Sequence, residues 1–114
     1  MTKNKIHVLV TGASRGIGHS ILDTFKQSKA SAIGQSTAGD GDLLAADFSQ
    51  SGAASELWSK ALDRLDGRID VLINNAGVFE PSSLQSEDEE WLNSWNKTMQ
   101  VNLTASAELC RYAV

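Results

Sequence analysis

One cysteine, one proline and one tyrosine are found among the 114 residues, and no apolar run approaches the length of a membrane span. The lone Cys110 excludes an internal disulfide, so folding has to rest on packing. Without a span-length apolar segment, a bilayer-crossing helix is excluded. Positive charge is also scarce: the formal net charge is -4, which argues against nucleic acid or an anionic membrane surface as a partner. The opening "MTKNKIHVLV" runs into Thr11 and Gly12 with no small-residue cleavage site, so it reads as a first strand and not as a signal peptide. A reducing cytoplasm is the expected setting. The length implies one domain with a modest core.

What is present is alternation. Ile6 to Val10 is β-branched and apolar, as suits a strand covered on both faces. Ile17, Ile21, Leu22 and Phe25 have helical spacing. Ala30 to Gln35 and Leu43 to Ala46 read as further strands, separated by the turn cluster "TAGDGD". Ser49 to Leu65 carries Ala54, Leu57, Trp58, Ala61, Leu62 and Leu65 on one stripe, and Asp66 and Gly67 stop that helix. Ile69 to Asn74 is another buried strand, followed by a loop holding Pro81.

Ser86 and Glu89 match a capping box, and Glu87 to Glu90 place carboxylates at a helix start. Trp91, Trp95 and Met99 follow at four-residue steps and read as core. A last helix spans Val101 to Val114. Alternation of this kind implies an α/β fold with parallel strands and right-handed crossovers.

Three glycines follow the first strand in "VLVTGASRGIG". A strand that enters a helix through glycines leaves the first helical N–H groups free and aimed at a ligand, with the helix dipole behind them. The turn formed by Gly12, Ala13, Ser14, Arg15, Gly16, Ile17 and Gly18 can therefore cradle a pyrophosphate. The spacing is G-x-x-x-G-x-G, not G-x-G-x-x-G, and no Lys-Ser or Lys-Thr follows as a Walker motif requires.

An NAD-binding fold of this kind places an acid about 20 residues beyond the glycines, for the ribose hydroxyls. Gln35, Ser36 and Thr37 stand there instead, and the first acid is Asp40. With Arg15 in the turn and the Ser36 and Thr37 hydroxyls nearby, this favours NADP over NAD. The alternative is a solvated Arg15 with Asp40 swinging in.

"TGASRGIG" at Thr11 to Gly18 and "NNAG" at Asn74 to Gly77 together resemble the short-chain dehydrogenase/reductase family, and in particular its 3-oxoacyl-acyl-carrier-protein reductase-like members. "AADFS" and "VNL" match two further landmarks. The resemblance covers the N-terminal half of a typical member, so residues 1–114 are expected to be the first portion of a longer NAD(P)-binding domain: an α/β, Rossmann-like parallel sheet of about four strands, in order 3-2-1-4, with flanking helices.

The resemblance implies several roles. Gly12, Ser14, Arg15, Gly16, Ile17 and Gly18 would bind the pyrophosphate end, with Ile17 toward the nicotinamide ribose. Asp47 would meet the adenine amino group and Phe48 would flank the ring. Asn75, Ala76 and Gly77 would run beside the nicotinamide ribose, and Asn74 would tie neighbouring strands. Asn102 would be the tetrad asparagine, kinking its helix and holding a relay water. An asparagine inside a helix is a poor propensity choice, which independently suggests a local backbone purpose.

The family's serine and its Tyr-x-x-x-Lys pair have no counterpart in this sequence. Tyr112 has no lysine at the required spacing, and His7 and His19 read as structural. The resemblance implies hydride transfer between NADPH and a small-molecule carbonyl or alcohol, in a full-length form that is a homo-oligomer. A catalytically inactive dinucleotide-binding module and a truncated fragment are the alternatives. The Asn74 strand is expected to be an apolar sheet edge, and the chain alone is expected to be marginally stable.

Overall fold

The structure, a computed structural model, describes residues 5–114. Strand β1 (His7–Val10) leads through the glycine turn into α1 (Gly16–Gln27). Then come β2 (Ser31–Ser36), β3 (Leu44–Ala45), α2 (Ala53–Arg64) and β4 (Val71–Ile73). Helix α3 (Asp88–Met99) passes through a π-helical turn (Gln100–Thr104) directly into α4 (Ala105–Ala113). The four strands are parallel, as the alternation of elements implies, and stand in the order β3-β2-β1-β4 that the family resemblance implies. Because the order reverses direction beside β1, the crevice above the end of β1 is the topological switch point of the sheet.

Alternation along β1 divides the core. Val8 and Val10 face one way and pack with Ala13 and Leu22, with Ile21 and Phe25 of α1 alongside. Leu9 faces the other way, into a larger cluster with Leu57 and Ala61 of α2 and Leu109 of α4. Both faces of β1 are therefore covered, and Val8, Leu9 and Val10 are fully buried, as a central strand of a parallel sheet requires. β4 forms an edge and its three residues are only half-buried.

The stripe on α2 packs as its spacing implies, with Ala54, Leu57 and Ala61 buried. The helix begins at Ala53, not Ser49, because Gly52 takes a left-handed φ of 85° and the preceding residues form turns. Its C-terminus is closed by Asp66 at φ 57° and by Gly67, whose N–H donates to Leu62 O at 2.7 Å. That six-residue back-bond is a Schellman closure, which takes up a carbonyl the helix leaves free.

α3 departs from expectation. It begins at Asp88 with Glu87 as its cap residue and no side-chain capping bond, so the Ser86–Glu89 box does not form. None of its residues is buried. Trp91 and Trp95 stack on one another, with ring centroids 5.5 Å apart, on a surface where Trp95 is half-exposed. The four-residue spacing marks the tryptophans as one face of a helix, but a periodic face is core only if another layer covers it.

At the opposite end of the sheet from the glycine turn, His7 N–H donates to Asp70 Oδ2 at 2.8 Å, and Arg68 pairs with the same carboxylate. His7 is thus structural, as its place in the strand suggests. Among the described residues no helix is long and apolar enough to cross a membrane.

Candidate dinucleotide-binding cleft

The glycine turn works by close approach. Gly12 has φ +65°, and a Cβ built on it would lie 2.8 Å from Ala76 Cα. A Cβ on Gly18 would lie 2.0 Å from Gly12 O and 2.5 Å from Asn75 Nδ2. A side chain at Gly12 would push the turn away from the segment after β4, and one at Gly18 would push α1 off the Gly12 carbonyl. Gly16 differs: it has φ +61° but open space around it, so its role is conformational, at the first residue of α1.

Thr11 and Asn75 lock the turn to β4. The Thr11 hydroxyl oxygen accepts the N–H groups of Asn75 and Ala76, both at 3.0 Å. Asn75 Nδ2 donates to Gly12 O at 3.0 Å. Gln35 locks the other side: its Oε1 accepts Gly12 N–H at 2.8 Å and its Nε2 donates to Ala46 O at 2.7 Å. Neither Thr11 nor Gln35 is a site residue in the sequence reading, although both are almost wholly buried. The available signal was polarity: each is a polar residue inside or at the end of an apolar strand, where it needs buried partners.

These ties hold open a cleft of about 520 Å³ above the carboxyl ends of the strands. Gly12, Ser14, Arg15, Gly16 and Ile17 form one wall, and Asn75, Ala76 and Gly77 another. Ser36, Thr37, Asp47 and Phe48 close one end, and Lys97 and Val101 reach in from α3 and the π-turn. Arg15 is exposed and caps α1 without any side-chain capping bond, so the helix's first N–H groups are left open toward the cleft. Ile17 is 73% exposed and its apolar side chain lines the cleft, apart from the buried Leu22 of the same helix.

Other expected positions sit differently. Gly18 is buried beneath the turn and does not line the cleft. Phe48 is 4% exposed and packs mainly into the core, so it offers the cleft only an edge. The Ser36 hydroxyl oxygen accepts Gly39 N–H at 2.8 Å and so supports the next loop. Thr37 is exposed at the rim. Asn74 does not bridge strands: its Nδ2 donates to Cys110 Sγ of α4 at 3.3 Å.

Asp47 Oδ1 accepts both the N–H and the hydroxyl of Ser49, at 3.0 and 2.7 Å. Those two bonds, the hydroxyl first, hold its carboxyl below the ordinary aspartate range. Lys97 pairs with Glu80 at 2.6 Å, and this pairing raises the Lys97 ammonium above its usual value. Asp47 is the one carboxylate among the cleft-lining residues, against two cations, Arg15 and Lys97.

Asn102 sits one layer behind. It lies within the π-turn, where it accepts Val78 N–H at 2.7 Å and donates to Val78 O at 2.8 Å. Tyr112 packs its ring against Trp58 of α2, with centroids 6.4 Å apart, and is not part of the cleft. No group of three or more potential metal ligands occurs among the described residues.

A parallel sheet with helices on both faces, and a glycine turn opening onto its switch-point crevice, defines a doubly wound fold of the nucleotide-binding kind. The family is sharper than that. The family model for short chain dehydrogenase matches residues 6–114, and the chain belongs to that family. It is 34% identical to the rhamnolipids biosynthesis 3-oxoacyl-acyl-carrier-protein reductase of Pseudomonas aeruginosa, with 85% of this chain and 42% of the relative covered. It is 32% identical to the 3-oxoacyl-acyl-carrier-protein reductase of Vibrio cholerae, covering 90% of this chain and 46% of that one. Among solved structures it resembles a short chain dehydrogenase from Burkholderia cenocepacia in complex with NADP. The TM-score is 0.81 and the identity 25%, over 95% of this chain and 49% of that one. The chain thus spans less than half the length of the curated relatives it matches.

Proposed function

We propose that this chain is the dinucleotide-binding portion of an NAD(P)-dependent reductase that interconverts a small-molecule carbonyl and an alcohol, with NADP preferred. The observation that carries the reading is the open N-terminus of α1, facing a cleft where β2 ends in the hydroxyls of Ser36 and Thr37 and where the one lining carboxylate, Asp47, is engaged by Ser49.

The residues fit such a group. Gly16 leaves room, and Gly12 and Gly18 allow the backbone to close under it. Arg15 and Thr37 would take a 2′-phosphate, and no acid stands directly at the end of β2, where one would accept the ribose hydroxyls and repel that phosphate. Asp47, kept ionised by Ser49, would accept from the adenine amino group. Asn75, Ala76 and Gly77 would line the nicotinamide ribose. The dinucleotide, when bound, supplies the hydride. Asn102 holds the Val78 backbone beside Gly77 and would keep that wall in register.

The names of the relatives suggest a 3-oxoacyl group on a carrier protein as substrate. A homo-oligomeric full-length form in the cytoplasm belongs to the same reading. The test is a fluorescence titration of NADPH with the folded chain. Saturable binding, with NADH weaker, supports the reading, and a folded chain that leaves NADPH fluorescence unchanged refutes it. The second reading is a binding module without reduction. Carbonyl-dependent NADPH oxidation separates the two.

A further inference from the structure

Gln35 makes three ties from one position in β2. Its backbone carbonyl accepts Ala13 N–H at 2.8 Å. Its side-chain oxygen accepts Gly12 N–H, and its side-chain nitrogen donates to Ala46 O. Gly12 and Ala13 begin the turn beneath the open amides of α1, whereas Ala46 directly precedes Asp47. The two partners fix the amide's orientation, because an N–H needs an acceptor and a carbonyl needs a donor. The side chain is 2% exposed, so neither bond has water as an easy substitute.

We infer that Gln35 is a positioning residue that sets the distance between the diphosphate turn and the adenine end of the cleft, so that one dinucleotide engages both. The inference rests on the cofactor reading above. Only a side chain with an acceptor and a donor at the tip of a three-carbon reach does this. Glutamate has the same reach, but its carboxylate lacks the donor that Ala46 O requires. Protonated, it regains one. The charged groups facing this point across the cleft are Arg15 from the turn, Asp47 beyond β3 and Lys97 from α3. None of them touches the Gln35 amide, whose recorded partners are Gly12 and Ala46.

The experiment measures NADP⁺ affinity by calorimetry for the unaltered chain, Gln35→Glu and Gln35→Met, each with a melting curve at the same pH. The ratio of the Gln35→Glu to the unaltered dissociation constant is expected to rise from near one at roughly pH 5.5 to about tenfold at roughly pH 8.5. Gln35→Met preserves length but has neither group, and is expected to bind about tenfold more weakly at both pH values. A purely structural glutamine would lower melting temperatures without a pH-dependent affinity ratio in chains that are still folded. Binding by the unaltered chain with a pH-flat Gln35→Glu ratio, or with unimpaired Gln35→Met, overturns this inference alone. No NADP⁺ binding by the folded, unaltered chain overturns the cofactor reading and this inference with it.

Discussion

Asn102 grips Val78 by both of its backbone groups, with Oδ1 taking the N–H at 2.7 Å and Nδ2 donating to the carbonyl at 2.8 Å. The grip coincides with the one π-helical turn among the described residues, Gln100–Thr104. An α-helix that inserts an extra residue per turn loses regular bonding, so such turns persist where something outside the helix holds them. Here the external partner is the segment after β4, directly beyond Gly77 in the cleft wall.

Replacing Asn102 by leucine removes both bonds. The residue is exposed, so water softens the loss, and the expected destabilisation is about 1–2 kcal/mol, seen as a lower melting temperature. The sharper readout is local: hydrogen exchange at the Val78 amide should accelerate by more than the global change in stability accounts for. Exchange that tracks global stability alone would mean the grip is incidental.

Gly18→Ala and Gly16→Ala should differ in kind. A methyl group on Gly18 collides with Gly12 O at 2.0 Å, and the expected cost is about 2–3 kcal/mol from forced backbone movement. Gly16 has only its positive φ to lose, for about 1–2 kcal/mol. Gly16→Asn should be better tolerated than Gly16→Ala, since asparagine visits the left-handed region readily, whereas Gly18→Asn should be at least as damaging as Gly18→Ala. Denaturant midpoints of the four variants provide the check.

Arg15→Ala tests cofactor preference. If the guanidinium takes a 2′-phosphate, a charge-assisted bond is lost for NADPH only. Its dissociation constant should rise by about tenfold or more, with that of NADH nearly unchanged. Equal losses for both would remove Arg15 from discrimination.

Asp47 gives a pH prediction. Its carboxyl is held below the ordinary value by the Ser49 hydroxyl and then the Ser49 amide. A depressed native pKa stabilises the fold fully above the unfolded-state value, and that contribution is lost as pH falls through the native value. Ser49→Ala should move the Asp47 carboxyl titration upward, followed by NMR, and flatten the acid limb of the stability profile. An unshifted titration would show that the hydroxyl bond is not formed in solution.

Much of this was legible in advance. The parallel strands, the stripe on α2, the Asp66–Gly67 stop and the place of the glycine turn follow from periodicity and from glycines placed after a strand, and the order 3-2-1-4 follows from the family resemblance. The failure lies in α3, where Trp91 and Trp95 fit a core face yet lie on the surface. Spacing reports which side of a helix is apolar; it is silent on whether another layer covers that side.

Local chemistry determined the elements and the anion-ready turn, because free amides, positive φ and β-branched runs act within a few residues of themselves. Pairings across long stretches of chain were decided only by the folded whole. Gln35 reaches Gly12 and Ala46, Thr11 reaches Asn75, and Asn102 reaches Val78. A buried polar side chain announces that it needs partners, but which backbone groups stand opposite it depends on the register and packing of strands that are not its neighbours in sequence.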